Sequence, residues 1–221
     1  IAISFSKSNC EKIYQLINKP IVSIDAYGEL DAGQESHVLN IGLDDESGGY
    51  LMTKYLLECG YEHIQVCAGR DSGVDHLRYM GAQKAAKEFA EKNQKVQFTA
   101  LGMNYAKRKE SYAWLSQRKK PKTALFFLSD LYALEAISFF SSRGVKIPEE
   151  IGIAGYDNIS YAEFSVPRLT TVSQNVEQKA SLAVEILMER INGEDKEREN
   201  EIKLPVTLIP RKSVQPQDEE K

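Results

Sequence analysis

The chain has 221 residues, 42% hydrophobic and 27% charged, with 28 Lys+Arg against 32 Asp+Glu and a formal net charge of −4. This is the composition of a globular protein of one large domain or two small ones, not of a disordered chain. The acidic balance argues against holding nucleic acid through bulk charge. No apolar run approaches the ~18 residues of a membrane span, and Ile1 to Phe5 lack the basic start and small-residue cleavage site of a secretory signal.

Short apolar strands alternate with amphipathic helices along the chain. Residues 20–25 read as a strand, and Leu51, Tyr55 and Cys59 keep helical spacing up to Gly60, a natural stop. A strand is predicted at His63–Ala68, then a helix carrying Leu77, Gly81, Ala85 and Phe89. A strand at Val96–Leu101 and a helix around Lys109–Gln117 follow. Thr123–Leu128 has no polar alternation and reads as a strand buried on both faces. The pattern then predicts a helix from about Asp130 to Arg143, a strand at Ile151–Ala154 and a core-packed helix over about Asn175–Ile191. Glu194–Glu201 reads as a solvated charged turn, Ile202–Leu204 and Val206–Ile209 as short strands, and Gln215–Lys221 as a frayed tail.

The familiar marks of catalysis are missing. Cys10, Cys59 and Cys67 are odd in number and not in Cys-x-x-Cys spacing, so they read as buried reduced thiols. His37, His63 and His76 fit no metal-ligand spacing. No nucleophile elbow, zinc-protease helix or phosphate loop is present. Two charge clusters have simple explanations. Asp44-Asp45-Glu46 fits a helix N-terminus rather than a Mg²⁺ site, and Lys107-Arg108-Lys109 with Arg118-Lys119-Lys120 and Lys122 fits a solvated helix face.

Repeated strand–helix–strand units predict an α/β protein with parallel, doubly wound sheets. Ligands of such sheets bind outside the carboxyl ends of the strands. Taken as one sheet edge, those ends supply Asp25; Arg70, Asp71 and Arg78; Asn104 and Tyr105; Ser129 and Asp130; and Gly155-Tyr156-Asp157-Asn158. Singly, an Asp after a strand is an ordinary helix N-cap. Together these residues describe a polar crevice without a metal cluster or a nucleophile–base pair, so binding rather than turnover is expected.

The segments 41–64, 129–136 and 143–158 (closing on Gly155-Tyr156-Asp157-Asn158), the stretch Pro167-Arg168-Leu169-Thr170-Thr171-Val172, and Leu204-Pro205-Val206-Thr207-Leu208-Ile209-Pro210-Arg211-Lys212-Ser213 resemble, in order, the lactose-repressor/purine-repressor type of bacterial transcription regulator. The resemblance implies a two-lobed, periplasmic-binding-protein-like body joined by three crossovers. Residues 1–42 plus 174–201 would form an N-terminal lobe, incomplete in this chain, and residues 43–173 plus 202–221 a C-terminal lobe. The hinge would lie near residues 41–44 and 169–174. The resemblance also implies a cytoplasmic homodimer, with operator DNA bound only through a helix-turn-helix head not contained in this chain. It implies neither cofactor, nor metal, nor membrane contact, nor enzyme activity. The effector-binding residues carried over are Arg78, Asp157, Ser129, Asp130, Tyr105 and Asp25. Ser129 stands where some members have Asn. The purine-reading positions around Ser72 and Val74 are not matched, which favours a sugar or sugar derivative over a purine. Arg78 and Asp157 are expected to grip one ligand, so that losing either removes binding and leaves the ligand-free fold intact. The alternative is a periplasmic or lipoprotein sugar-binding component of a transporter, which shares the body fold.

Overall fold

The computed structural model describes residues 1–30, 36–70, 73–91, 93–194 and 198–216. In chain order its elements are β1 (Ala2–Ile3), α1 (Lys7–Ile17), β2 (Val22–Ile24), β3 (Leu39–Leu43), α2 (Asp45–Glu58), β4 (His63–Ala68), α3 (Val74–Phe89), β5 (Lys95–Ala100) and α4 (Tyr105–Arg118). There follow β6 (Thr123–Phe127), α5 (Asp130–Ser141), β7 (Gly152–Ala154), α6 (Ser160–Phe164), β8 (Thr171–Ser173), α7 (Val176–Asn192), β9 (Glu201–Leu204) and β10 (Thr207–Ile209). The chain divides into two compact units, Ile1–Asp44 with Gln174–Val206 and Asp45–Ser173 with Thr207–Lys221.

The first unit is built on a parallel sheet of order β1-β2-β3-β9. β3 lies between β2 and β9, so it needs no outward polar face, and four of its five residues are buried. Its one polar side chain is satisfied inside the sheet. Asn40 Oδ1 accepts from Ser23 Oγ and the Ala26 amide, both at 3.0 Å, and Nδ2 donates to Glu201 Oε1 at 3.0 Å. Glu201 therefore opens a strand rather than closing a solvated turn. Residues 195–197 of the predicted turn lie outside the described residues. α1 was not legible as a helix. It starts at Ser6, whose hydroxyl accepts from the Asn9 amide, and stops at Asn18 with φ +44°. α7 begins at Asn175, which caps the Gln178 amide, and ends at Gly193 with φ +75°. Its buried face is Lys179, Ala183 and Ile186, while Val176, Val184 and Ile191 are exposed. Of the residues expected to pack in the core (Val176, Ala180, Ala183, Val184, Leu187 and Ile191), Ala183 is buried and Leu187 partly so, while Val176, Ala180, Val184 and Ile191 are exposed.

The second unit holds a parallel sheet of order β5-β4-β6-β7. The chain winds from β4 out to β5 and then returns to the other side of β4, so the switch point lies between β4 and β6. α4 and α5 cover one face, where Tyr112, Phe127, Phe139 and Phe140 join Leu125 and Ile153 in the core. Tyr112 packs edge-on to Phe127, with ring centroids 5.9 Å apart. α2 and α3 lie on the opposite face and touch backbone to backbone. A Cβ on Gly49 would sit 1.8 Å from the Arg78 carbonyl oxygen, and one on Gly81 the same distance from that of Glu46. Only glycines permit this approach, and it sets Arg78 beside the first residues of α2. A two-stranded antiparallel ribbon, β8 with β10, completes the unit. Ser213 ties it to β7, its hydroxyl accepting from the Thr170 amide at 2.8 Å and donating to the Ile153 carbonyl. Gln215, at the start of the expected tail, donates its amide to the Tyr61 hydroxyl, and residues 217–221 lie outside the described residues.

Cys10, Cys59 and Cys67 are free and buried, as expected. Among the described residues, no helix is long and apolar enough to cross a membrane.

Candidate functional site

Four of the five strand ends share the sheet of the second unit. The fifth does not: β2, which leads to Asp25, belongs to the other sheet. The single polar edge read from the sequence is therefore two. Hydrophobic alternation says that a strand is buried but not which sheet it joins.

Arg78 organises the site of the second unit. Only 6% exposed, it donates from Nε to Asp45 Oδ1 at 2.7 Å and from Nη1 to the Leu128 carbonyl at 2.7 Å. Its guanidinium carbon lies 3.7 Å from the centre of the Tyr156 ring, and Nη1 is 3.9 Å from Asp157 Oδ1. Burial alone would lower the basicity of this group. The fields of Asp45, Tyr156 and Asp157 outweigh it and hold the guanidinium above its ordinary value. Leu128 directly follows β6 at the switch point, so one arginine ties α2, α3 and the β6–α5 turn together there. The Tyr156 hydroxyl is buried without a hydrogen bond of good geometry, and burial followed by the charge of Asp45 raises its pKa. Asp45 is therefore the buried partner of Arg78, a role the helix-N-terminus reading of Asp44-Asp45-Glu46 did not contain. The signal that could have found it is its place at a strand end, which the reading above gave to no residue of this stretch.

Asp157 and Ser129 meet at the same point. The Ser129 hydroxyl donates to Asp157 Oδ2 at 3.1 Å. Ser129 occupies the N-cap position of α5 without making a side-chain cap bond, so its hydroxyl serves Asp157 instead. Asp157 has φ +117°, far from the conformations an L-residue prefers, and is held there by its amide, which donates to the Val172 carbonyl at 2.9 Å. A strained backbone at a polar cluster points to a functional demand on that side chain. Asp75, half-buried in the first turn of α3, has its pKa raised by burial, with Arg78 opposing.

Asp130 differs from its expected role. It is fully buried and cannot line a cleft. Oδ1 accepts from the Thr171 hydroxyl at 2.6 Å and Oδ2 from the Ile159 amide at 3.0 Å, so it fixes the loop that carries Asp157. Burial raises its pKa to about 7. Arg211 supports the same loop through the Asn158 side chain at 2.8 Å. Tyr105 lies in the first turn of α4, exposed, with the Lys109 ammonium 5.0 Å from its ring centre. Among the described residues no contact joins it to Arg78 or Asp157. Asp25, in the first unit, pairs with Lys179, whose Nζ lies 2.9 and 2.7 Å from its two oxygens. Asp71 and Ser72 lie outside the described residues.

The expectation that removing Arg78 would spare the ligand-free fold does not survive this geometry. Loss of the guanidinium leaves Asp45 charged, buried and unpartnered, a defect that costs about 3–5 kcal/mol. Asp157, at the surface of the cluster, is the residue whose loss tests binding.

A polar, strand-end site at the switch point of a doubly wound sheet defines a small-molecule-binding α/β domain. A family profile described as a periplasmic binding protein-like domain matches residues 53–214. The HTH-type transcriptional repressor PurR of Haemophilus influenzae is 36% identical over 181 residues, covering 78% of this chain and 53% of its own length. Its counterpart in Pasteurella multocida is 37% identical over 172 residues, 76% of this chain and 50% of its own length. The chain thus spans about half the length of the curated relatives it matches. Among solved structures, a LacI family transcriptional regulator from Enterococcus faecalis with bound ribose has a TM-score of 0.80 at 26% identity, covering 98% of this chain and 78% of that one. A periplasmic binding protein/LacI transcriptional regulator from Alkaliphilus metalliredigens complexed with D-xylulofuranose has a TM-score of 0.75 at 27% identity, covering 92% and 73%. The chain belongs to the periplasmic binding protein-like domain family, in the form that lactose-repressor/purine-repressor-type regulators carry as their effector-binding body.

Proposed function

We propose that the chain binds a neutral sugar or sugar derivative at the Ser129–Asp157–Arg78 cluster, and that this binding controls a transcription regulator acting on operator DNA in the cytoplasm. The observation that carries the reading is the meeting of a hydroxyl donor, a carboxylate and an immobilised guanidinium within 3.1 and 3.9 Å of one another at a sheet switch point. Such a set can accept from adjacent hydroxyls and donate to a ring oxygen without reorganising. The sugar-bound neighbours support this ligand class, and the repressor relatives support the regulatory role. The Ser129 hydroxyl meets the Asp157 carboxylate with no third group, among the described residues, orienting the pair as a catalytic triad requires, and the relatives are repressors, so binding is favoured over turnover. We further assign Ile1–Asp44 with Gln174–Val206 and Asp45–Ser173 with Thr207–Lys221 to the two lobes of the family body; residues 43–44 and 202–206, expected in the C-terminal lobe, go with the first unit because β9 pairs with β3. The cytoplasmic assignment follows from the DNA-directed role of the relatives.

A second copy of the chain is the proposed partner. The Asp130–Ile159 hydrogen bond joins the start of α5 to α6, and these two elements with the residues just beyond them present Leu131, Tyr161, Phe164 and Val166 to solvent. Large apolar side chains grouped in this way mark an interface.

The test is a thermal-shift and calorimetric screen of pentoses, hexoses and purine bases on the wild type and on Asp157→Asn. Wild type should gain melting temperature with a sugar. Asp157→Asn should lose that gain, with at least about tenfold weaker binding, while keeping its ligand-free melting temperature within a few degrees. Undiminished sugar binding by Asp157→Asn would remove this cluster from the site. A response to purine bases alone would replace the sugar reading.

A further inference from the structure

A parallel sheet is ordinarily covered on both faces. The face of β4, β5 and β6 that carries α4 is covered only in part. Toward β6 it is apolar, through Cys67, Leu125 and Phe127. Toward β5 it turns polar. Gln65 Nε2 donates to Gln97 Oε1 at 3.3 Å, and the Thr99 hydroxyl donates to Gln65 Oε1 at 2.8 Å. His63 and Lys95 are register partners at the start of the same two strands. Above this floor lies an open groove of about 470 Å³, within the range of small-molecule sites.

The groove is basic and has one aromatic wall. Trp114 of α4 is 46% exposed and lies against it, with the Arg118 guanidinium 4.5 Å from its ring centre. Lys95 rises from the floor, and Lys119 and Lys120 close the end. Lys119 is engaged by Glu150 at 2.6 Å, while no carboxylate lines the groove among the described residues. Burial first, then the charge of Lys120, pushes the His63 imidazole pKa down, with Glu62 opposing and Lys95 adding to the shift. The stretch 118–120 is the basic run that the sequence reading assigned to a solvated face, and nothing in the Arg78 site makes use of it.

We propose that this groove is a second ligand site, separate from the Arg78 cluster, for a small organic phosphate with a flat ring, of the nucleoside monophosphate class. The ring lies on Trp114 and the amide-rich floor. The phosphate is held by Lys95, Lys120 and Arg118. Charge alone would take any anion and stacking alone any aromatic ring, so the two features together select a ligand carrying both.

Trp114 is the single tryptophan of the chain, so intrinsic fluorescence reads this groove directly. Titrating the full chain with adenosine monophosphate should quench Trp114 saturably. Adenosine and inorganic phosphate, each carrying half of the recognition, should bind at least about tenfold more weakly. Lys120→Glu and the milder Lys120→Gln should both weaken the monophosphate response while keeping the wild-type melting temperature, and Asp157→Asn should leave the response unchanged. The proposal is overturned by the absence of a saturable response at millimolar ligand, by adenosine binding as tightly as its monophosphate, or by an undiminished response in the Lys120 variants. Loss of the response in Asp157→Asn would place the ligand at the Arg78 cluster and overturn it equally.

Discussion

Asp130 shows how a residue can matter to a ligand site without touching it. Its carboxyl is sealed under Gly155, where a Cβ would fall 2.1 Å from Oδ1, and it holds the loop carrying Asp157 through the Ile159 amide. Burial raises its pKa to about 7, against about 4 in an unfolded chain. The folded state therefore holds this proton more tightly than the unfolded state does. Its contribution to stability is fully present below about pH 4 and is lost as pH rises towards 7, a change of at most about 4 kcal/mol. Asp130→Asn removes the titration, so the difference in unfolding free energy between wild type and variant should vary with pH across that window and be constant above it. Chemical denaturation at a series of pH values measures this. A constant difference from pH 4 to 8 would mean that Asp130 titrates normally. Gly155 carries a related demand. Gly155→Ala should lower stability by about 1–3 kcal/mol and weaken sugar binding together with it, because the added methyl displaces the carboxylate that fixes the loop.

Among the elements, α4 and α5 are joined by more than their apolar core. Arg108, read from the sequence as part of a solvated basic face, is buried. It forks onto Glu135 of α5 through Nε at 2.7 Å and Nη2 at 2.8 Å, and its Nη1 donates to the Met103 carbonyl at 3.2 Å. The Tyr112 hydroxyl donates to the same glutamate at 3.0 Å. The hydrogen bonds from Arg108, opposed by burial, hold the Glu135 carboxyl below its usual pKa. Truncating only one partner strands a charge. Arg108→Met should therefore destabilise the chain by about 3–5 kcal/mol, whereas the paired Arg108→Met/Glu135→Leu change should recover most of that loss. Denaturant midpoints of the two single variants and the double give the coupling directly, and additive losses would mean that the pair is not a unit.

For the molecule as a whole, exposed apolar residues are informative where several large ones fall close together. Phe164 is 76% exposed and Val166 86%, on and just after the short helix α6. If a second copy covers them, Phe164→Glu should shift sedimentation from dimer to monomer at micromolar concentration and leave the circular dichroism of the chain unchanged. A wild type that sediments as a monomer would remove this face from the interface.

The elements that were legible in the sequence are those whose signal is local. β4 was read with its exact bounds, and α5 and α7 to within a few residues, because period, caps and Gly stops are written in consecutive residues. β1, β3, β8, α1 and α6 were not read as elements. All are short or lack a clean period, and the strands β1, β3 and β8 exist because a neighbouring strand completes their hydrogen bonds. The same division runs through the site. Residue type and strand-end position singled out Arg78, Ser129 and Asp157 in the chain itself. Sequence spacing could not reveal that Asp25 joins a different sheet, that Asp45 neutralises Arg78, or that Asp130 is sealed while Asp157 is strained. Those facts depend on which strands pair and on how closely Gly49 and Gly81 let two helices approach, and such contacts between distant residues form only when the chain folds.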